Sequence, residues 1–148
     1  MITSGPVLFP TDFSTCSIHA LTTASDFARR LSVPLLIIHV VETLGPENVT
    51  FGEAGTALQP QGYRQRLQTD LQEIRPTDTD VPVERLIAEG DPARQIVALA
   101  EERGCGLIVM GTYGHTGLMR LLMMGSTTGY VVRHATCPVL TVKLPTTR

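Results

Sequence analysis

Short apolar stretches alternate along this chain with stretches in which apolar residues recur at helical spacing. The apolar stretches VLF (7–9), PLLIIHVV (34–41) and LIVM (107–110) contain almost no polar residue. Such strands are typical of a parallel sheet that is covered on both faces, because neither face then meets water. Two more strands are predicted at 83–89, where apolar and polar residues alternate as at a sheet edge, and at 138–144.

The first two helices are predicted from apolar residues three and four positions apart. One covers the apolar positions of 20–31, with Asp12 and Ser14 as alternative N-caps. The other covers 63–74 and ends before a proline. The glycines and prolines of 44–62 show no sustained period and predict a long loop.

The other two helices have clear end signals. In the third, Asp91 stands at the N-cap, Pro92 at the first helical position and Gly104 just past the end. The fourth is predicted at 126–135. Alternating strands and helices predict an α/β fold with right-handed crossovers and a mostly parallel sheet. The sequence has no internal repeat and no domain boundary, so residues 1–148 are expected to form a single domain.

Composition and charge narrow the class of protein. The chain is 43% hydrophobic and 18% charged with a net charge of −2, which gives no basis for binding nucleic acid or an anionic membrane. No apolar stretch approaches the ~20 residues that span a bilayer, and the N-terminus lacks the pattern of a secretion signal. Cys16, Cys105 and Cys137 are far apart, as is typical of a reducing compartment. We therefore expect a soluble, cytoplasmic protein.

Candidate binding residues stand at the ends of three predicted strands. In open α/β sheets, ligands bind at the carboxyl ends of strands, where the strand order reverses. These ends hold Pro10, Thr11 and Asp12 after the first strand, His39 and Val40 in the second, and Met110 and Gly111 at the fourth. They meet in one crevice if the first and fourth strands are neighbours. Asp12 is either a ligand contact or a turn and capping residue, and His39 is more typical of a satisfied histidine at the core edge.

A glycine-rich segment, GTYGHTGLMRLLMMGST, follows the fourth strand. Gly111 and Gly114 allow close approach of the backbone to a ligand, because no Cβ stands in the way. At the other end, Gly125, Ser126 and Thr127 open a helix whose first amides lack internal partners. Those amides, the helix dipole and two hydroxyls predict an anion site.

The segment favours holding a phosphate over transferring it. No lysine occurs in 111–132, and neither G-x-x-x-x-G-K-[ST] nor G-x-S-x-G is present. Arg120 can assist with a phosphate, and His115 is either a phosphate contact or merely exposed. We assign no catalytic residue. We assign no metal site either, since the histidines and cysteines lack the short-spaced pairs that zinc favours.

Two further sets of residues are read as structural. Arg133 and His134 fall at the end of the fourth helix, where positive charge complements the helix dipole. Cys137 precedes a proline at the entrance of the last strand and is expected to be buried rather than reactive.

Five separated motifs together resemble the universal stress protein family. They are VLFPTDFSTCSIHAL, LLIIHVVE, EGDPARQIVALAEERG, LIVMGTYGHTGL and GSTTGYVVRHATCPVLTVK, in the order that the family has them. The resemblance implies a Rossmann-like, flavodoxin-like three-layer sandwich with a five-stranded parallel sheet in the order 3-2-1-4-5. It also implies a homodimer joined through the last strand and, for one branch of the family, ATP held by a G-x-x-G…G-[ST] motif.

The same resemblance assigns roles to residues of this chain. Asp12 would lie beside the ribose, and Val40 would offer its backbone to adenine. Met110 and Gly111 would face the ribose and adenine, and the glycines and hydroxyls further along would wrap the phosphates. The complete candidate set is Pro10, Thr11, Asp12, Val40, Met110, Gly111, Gly114, His115, Gly125, Ser126 and Thr127.

One spacing departs from the family pattern. Gly114 and Gly125 enclose ten residues, one more than the family usually has. In a helix, one extra residue would rotate everything beyond it by ~100°. We expect a bulge within 121–124 to absorb it.

Three functions remain open on this basis. The first is a cytoplasmic ATP-binding stress-response regulator that acts as a homodimer on unknown client proteins. Its cofactor would be ATP, with or without Mg²⁺ on the phosphates, and AMP is the alternative ligand. The second is a nucleotide-free homodimeric interaction module of the same fold. The third is a slow ATPase or an adenylate-handling hydrolase, for which Asp12 and His115 are the available residues.

The last predicted strand has the pattern of a sheet edge. Leu140, Val142 and Leu144 lie on one side of it, and Thr141 and Lys143 lie on the other. A sheet edge needs protection or a partner. We therefore predict dimerisation through 138–144.

Overall fold

The computed structural model describes residues 4–42, 60–112 and 125–145. In these residues, five strands alternate with four helices. The strands are β1 (Val7–Pro10), β2 (Leu35–Val41), β3 (Val83–Glu89), β4 (Leu107–Gly111) and β5 (Val139–Val142). The helices are α1 (Thr15–Leu31), α2 (Pro60–Glu73), α3 (Pro92–Glu102) and α4 (Ser126–His134).

The five strands form one parallel sheet in the order β3-β2-β1-β4-β5. This confirms the predicted α/β class and the strand order 3-2-1-4-5. β1 is the central strand, and β3 and β5 are the two edges. The chain moves from β1 toward β3 in its first half and from β4 to β5 in its second half, so the direction of winding reverses between β1 and β4.

Helices cover both faces of the sheet. Val7 and Phe9 of β1 pack with α1 and α2 on one face, whereas Leu8 packs with α3 and α4 on the other. β2 divides in the same way, with Ile37 on the α1 face and Ile38 on the α3 face. All five of these side chains are fully buried, which explains why β1 and β2 are apolar at nearly every position, with His39 as the exception.

Helix α3 has the ends that its sequence predicts. The Asp91 side chain accepts a hydrogen bond from the Arg94 amide at 3.0 Å, and Pro92 is the first helical residue. Gly104 follows the helix with a φ of 61°, the left-handed conformation that glycine adopts without strain. The amide of Cys105 then donates to the carbonyl of Ala100 at 2.9 Å, which closes the helix end.

The clearest differences from the predicted boundaries concern α2 and β5. Helix α2 begins at Pro60, inside the loop predicted at 44–62, because proline is well suited to the first position of a helix. The rest of that loop lies outside the described residues. β5 is shorter than the predicted 138–144, since Val142 is the partner of Gly111, the last residue of β4. None of the helices described here is long and apolar enough to cross a membrane.

Candidate functional site

The candidate site lies at the carboxyl ends of β1 and β4, and Pro10 explains why these two strands part there. Val7 and Thr11 donate their amides toward β2, so the intervening even-numbered residues of β1 face β4. Leu8 is the last of them with a partner in β4. Pro10 comes next and has no N–H to continue the ladder. The pairing therefore ends before either strand does, at the point where the winding reverses and where open α/β sheets have their binding crevice.

Val40 borders the same crevice from the other side of β1. The carbonyl of Ile38 accepts from the Thr11 amide, and the carbonyl of Val41 accepts from the Gly90 amide of the opposite neighbour. By this alternation, the amide and carbonyl of Val40 point toward β1. The register between β1 and β2 ends at Pro10 and Ile38, so β1 offers no partner at the level of Val40. The Val40 main chain thus faces the open end of the crevice.

The side chains of Val40 and Met110 lie in the hydrophobic core rather than in the crevice. Both are buried, and both pack in the core cluster that β1, β2 and β4 share with α3 and α4. Only the main chain of these two residues therefore remains for a ligand in the crevice.

The turn after β1 is held by the three polar groups of Thr11. Its amide donates to the carbonyl of Ile38 at 2.8 Å, and its carbonyl lies 2.8 Å from Nδ1 of His39. Its hydroxyl lies 2.7 Å from the hydroxyl of Ser17 and accepts from the amide of Phe13 at 3.0 Å. Thr11 is a predicted binding residue, but its buried hydroxyl serves the turn itself.

Asp12 and Ser14 divide the two roles that the sequence left open. Ser14 is the N-cap of α1, and its side chain accepts from the amide of Ser17 at 3.2 Å. Asp12 precedes it in the turn, and its Oδ1 accepts from the amide of Ser14 at 2.9 Å. The carboxylate thus stands at the mouth of the crevice as a turn residue rather than as the helix cap.

Phe13, between them, has a strained backbone. Its φ is 64°, in the left-handed region where a side chain with a Cβ costs about 1–2 kcal/mol. The ring of His39 lies against the Phe13 ring, with centroids 4.6 Å apart. The expectation that His39 is a satisfied histidine at the core edge is confirmed, since its Nδ1 binds a main-chain carbonyl.

Gly111 has a packing role that the sequence did not reveal. A Cβ at this position would come within 2.8 Å of Sγ and 3.1 Å of the carbonyl oxygen of Cys16 in α1. The absent side chain therefore lets α1 approach β4. Our expectation attributed this glycine to close approach of a ligand, but the neighbour on its Cβ side is the first turn of α1.

The start of α4 is tied to the end of β4 by two hydrogen bonds. The amide of Gly125 donates to the carbonyl of Thr112 at 2.7 Å, and the buried hydroxyl of Thr128 donates to the carbonyl of Gly111 at 2.8 Å. The Gly125 amide is therefore not available for an anion, and the expectation that it opens the donor set is wrong. The hydrogen bond from Gly125 to Thr112 instead fixes the start of α4 beside the end of β4.

The remaining amides of the first turn keep the property that the sequence predicts. The first bond within α4 runs from Gly129 to the carbonyl of Gly125. Gly125 is the N-cap and has no side chain to accept a hydrogen bond. Among the described residues, no acceptor faces the amides of Ser126, Thr127 and Thr128. These three donors and the positive end of the helix dipole are the features that favour an anion at a helix N-terminus.

The middle of the glycine-rich segment lies outside the described residues. Gly114, His115, Arg120 and the bulge expected within 121–124 belong to it. A hydrogen bond joins Gly125 to Thr112, the residues on either side of this part. The additional residue of the spacing lies between them in the sequence. The roles given to these residues stay predictions.

The structure brings most of the other candidates to one end of the sheet. Pro10, Thr11 and Asp12 leave β1, Val40 lies beside them in β2, and Gly111 is joined to Thr128 of α4. Phe13, Ser17 and Thr128 also shape this site and were missed. Thr128 stood next to the predicted hydroxyls in the sequence, whereas nothing in the sequence marks a phenylalanine for positive φ.

The described residues contain no group of three or more histidine, cysteine, aspartate or glutamate side chains that could hold a metal ion. Two cysteines outside the crevice have unreactive thiols. Burial raises the pKa of Cys105 to about 11 and also raises the pKa of the half-buried Cys137. Both shifts favour the protonated thiol, as expected of Cys137, although Cys137 is half-buried rather than buried.

A separate groove of about 700 Å³ lies between α2 and β3. Its size suits a small ligand, but ligand pockets are mostly apolar, and this one is walled largely by polar side chains. Arg85 within it is already bound to the carbonyls of Leu71 and Ile74. None of its lining residues belongs to the candidate set, so the crevice at β1 and β4 remains the candidate site.

Comparison with known proteins decides the family. A model described as the universal stress protein family matches residues 4–143. The chain belongs to the universal stress protein family. Universal stress protein MJ0531 of Methanocaldococcus jannaschii is 34% identical over 141 residues, which cover 94% of this chain and 82% of the relative. The predicted family is thus confirmed.

Solved structures of universal stress proteins share the fold. MJ0577 of Methanocaldococcus jannaschii has a TM-score of 0.72 at 26% identity, covering 97% of this chain and 99% of the other. A universal stress protein of Archaeoglobus fulgidus in complex with dAMP has a TM-score of 0.63 at 22% identity, covering 97% and 100%. One in complex with cAMP has a TM-score of 0.62 at 23% identity, covering 95% and 98%.

Proposed function

We propose that this universal stress protein is a cytoplasmic, homodimeric regulator that binds an adenine nucleotide, with ATP as the principal ligand. One observation carries the proposal. The crevice between β1 and β4 has main-chain donors and acceptors on both sides, from Val40 and from the first turn of α4, that no described strand or helix uses. Val40 and Thr128 are buried and Thr127 is half-buried, and main-chain groups in such places require a partner.

The Val40 main chain suits adenine in particular. Adenine presents an amino donor beside a ring-nitrogen acceptor, and guanine presents a carbonyl acceptor beside a ring N–H donor. The carbonyl and amide of one residue can therefore pair with adenine, whereas guanine would set like groups against each other. A preference for adenine over guanine follows without any specific side chain.

Asp12 and α4 would hold the rest of the nucleotide. A carboxylate at the mouth of the crevice can accept hydrogen bonds from ribose hydroxyls. The amides of Ser126, Thr127 and Thr128 can donate to phosphate oxygens, and the helix dipole favours their negative charge. Without a lysine in this segment, the site is built to hold phosphates, and Mg²⁺ would add charge neutralisation where more than one phosphate is bound.

The family supports an adenine ligand, since two of its solved members are complexes with cAMP and dAMP. Both of those ligands carry a single phosphate, so AMP is the natural competitor of ATP in any test. The nucleotide-free interaction module remains the second candidate. The additional residue between Gly114 and Gly125 favours it, because the phosphate-wrapping segment then differs in length from that of the family's ATP-binding branch.

Calorimetric titration of dialysed protein with ATP, AMP and GTP tests the proposal. We expect heat of binding with ATP and AMP, and at least about tenfold weaker binding of GTP. Asp12→Ala should weaken ATP binding. Asp78→Ala is a matched control, because Asp78 accepts the amide two residues on at 2.9 Å, as Asp12 does, but lies outside the crevice. Absence of heat at millimolar ATP and AMP would exclude the nucleotide and favour the second candidate.

The homodimer is proposed to form through the outer edge of β5. Ile108 and Thr112 donate to the carbonyls of Pro138 and Val142, so the amide of Thr141 points away from β4. The four residues of β5 are all half-buried. Thr141→Pro removes an outward amide without breaking the ladder to β4, and we expect a monomer by sedimentation at micromolar concentration. A dimer that persists in this variant, with unchanged circular dichroism, would place the interface elsewhere.

A further inference from the structure

The strongest unexplained contact near the crevice joins His39 of β2 to the turn after β1. Nδ1 of His39 lies 2.8 Å from the carbonyl oxygen of Thr11, twenty-eight residues earlier in the chain. A carbonyl only accepts, so Nδ1 carries the proton in this contact. The pattern of the sequence explains a histidine at the core edge, but it does not explain why its ring should be bonded to this turn.

The turn needs such a restraint because its backbone is strained. Phe13 adopts a φ of 64°, which an aromatic residue enters only when its surroundings require it. The Phe13 amide is held by the hydroxyl of Thr11 at 3.0 Å, and its ring lies against the His39 ring. The imidazole therefore touches the turn at two points, the carbonyl before Asp12 and the side chain after it.

We propose that His39 is a positioning residue for nucleotide binding, which acts through Thr11 and Phe13 to direct the carboxylate of Asp12 toward the ligand. This inference rests on the proposed function and extends it to a residue that does not itself touch the nucleotide. Asp12 lies between the two contacted residues, so its main chain cannot turn without breaking one of the contacts.

Substitutions at position 39 separate the hydrogen bond from the ring. His39→Asn keeps a donor close to the place of Nδ1 but removes the ring. His39→Phe keeps a ring against Phe13 but removes the donor. If the donor positions Asp12, His39→Phe should weaken ATP binding by roughly tenfold, the weight of one hydrogen bond, and His39→Asn should recover most of the affinity.

A double-mutant cycle distinguishes positioning from a general loss of stability. In the Asp12→Ala background, His39→Phe should cause little further loss of affinity, because the carboxylate that it positions is absent. Additive losses would overturn the inference, and so would an affinity of His39→Phe equal to that of the unmodified protein. Denaturant unfolding of each variant provides the stability against which the affinities are compared.

Hydrogen exchange supplies a readout that needs no ligand. In His39→Phe, the amides of Phe13 and Ser14 should exchange at least about fivefold faster, whereas those of Val33 and Cys105, at the ends of α1 and α3, should not change. Unchanged exchange at the turn would overturn the inference while leaving the proposed function intact. An unmodified protein that binds no adenine nucleotide would overturn the proposed function, and this inference with it.

Discussion

Two helices, α1 and α4, begin at the same end of the sheet, and their first turns are built in opposite ways. In α1 the side chain of Ser14 accepts a hydrogen bond from the amide of Ser17, and the hydroxyl of Ser17 contacts that of Thr11. In α4 the N-cap is Gly125, which has no side chain to offer. At the first helix end, one of the first amides, that of Ser17, has a side-chain acceptor. At the second, no side chain caps the helix, and the amides of Ser126, Thr127 and Thr128 have no acceptor among the described residues.

The comparison shows that a helix N-terminus alone does not make a binding site. Both helix ends carry a positive dipole, but at α1 the side chain of Ser14 already accepts from one of the first amides, whereas at α4 no side chain does so. The two helix starts are linked through Gly111, since Cys16 of α1 packs on it and its carbonyl accepts a hydrogen bond from Thr128 of α4. The packing of α1 on β4 thus supports the start of α4.

Closing the open end should have the largest effect on binding. Gly125 has φ of −58° and ψ of 156°, a conformation that any residue adopts. In Gly125→Asp the carboxylate would cap the helix and repel phosphate, so ATP binding should weaken by about tenfold or more while the helix gains stability. Calorimetry and thermal unfolding measure the two effects. In Gly125→Ser the hydroxyl would cap the helix without adding charge, so its ATP affinity should lie between those of Gly125→Asp and the unmodified protein. Tight ATP binding by Gly125→Asp would contradict the anion site.

Separating the two helix ends should have the largest effect on stability. Gly111→Ala places a Cβ within 2.8 Å of Cys16, and we expect a loss of about 1–3 kcal/mol in the free energy of unfolding. Gly129→Ala is the matched control, because nothing lies within 4 Å of its Cβ position and alanine favours a helix by about 0.5–1 kcal/mol. Urea denaturation compares them. If the two variants changed the free energy of unfolding by the same amount, α1 and β4 would not be in close contact.

Removing the tie between β4 and α4 should be somewhat milder. Thr128→Val preserves the shape of the side chain but leaves the buried carbonyl of Gly111 without its donor. A cost of about 1–2 kcal/mol in unfolding free energy is expected for such a group. Thr127→Val, at a half-buried neighbouring position, controls for the substitution itself. The tie would be unimportant if both variants unfolded at the same urea concentration.

Removing the N-cap of α1 should have the smallest effect on stability and on ATP binding. Ser14→Ala removes the cap of α1, which is worth about 1 kcal/mol of stability. Its ATP affinity should stay within about twofold of the unmodified protein, because α1 carries none of the phosphate donors. Thermal unfolding and calorimetry test the two halves of this statement. A large loss of affinity would mean that α1 takes part in binding.

Local sequence patterns predict the strands and helices well. They also predict the ends of an element where a particular side chain determines that end. Asp91, Pro92 and Gly104 determine the ends of α3 by their own stereochemistry, and the structure confirms all three. The start of α2 was placed late, because the helical period of its apolar residues begins after its first turn. Periodicity reports which residues are buried, and the first turn of a helix need not be buried.

The candidate site was predicted in outline but not in its details. The strand ends and the glycine-opened helix are visible in the sequence. The positive φ of Phe13, the contact of His39 with Thr11 and the packing of Cys16 on Gly111 are not. Each of these joins residues from different elements, so no spacing along the chain can express it. For the same reason, the sequence cannot show that the Gly125 amide has a partner in the carbonyl of Thr112.

By itself, the order of apolar and polar residues determined an alternating α/β chain with strands buried on both faces, because periodicity and burial are local consequences of each side chain. Tertiary structure alone decided which main-chain groups remain for a ligand. That choice depends on where β1 parts from each neighbour: Pro10 cannot continue the ladder to β4, and the ladder to β2 ends one residue later, at the amide of Thr11. An amide or carbonyl is available only when the neighbouring strand has ended, and that is a property of two strands together.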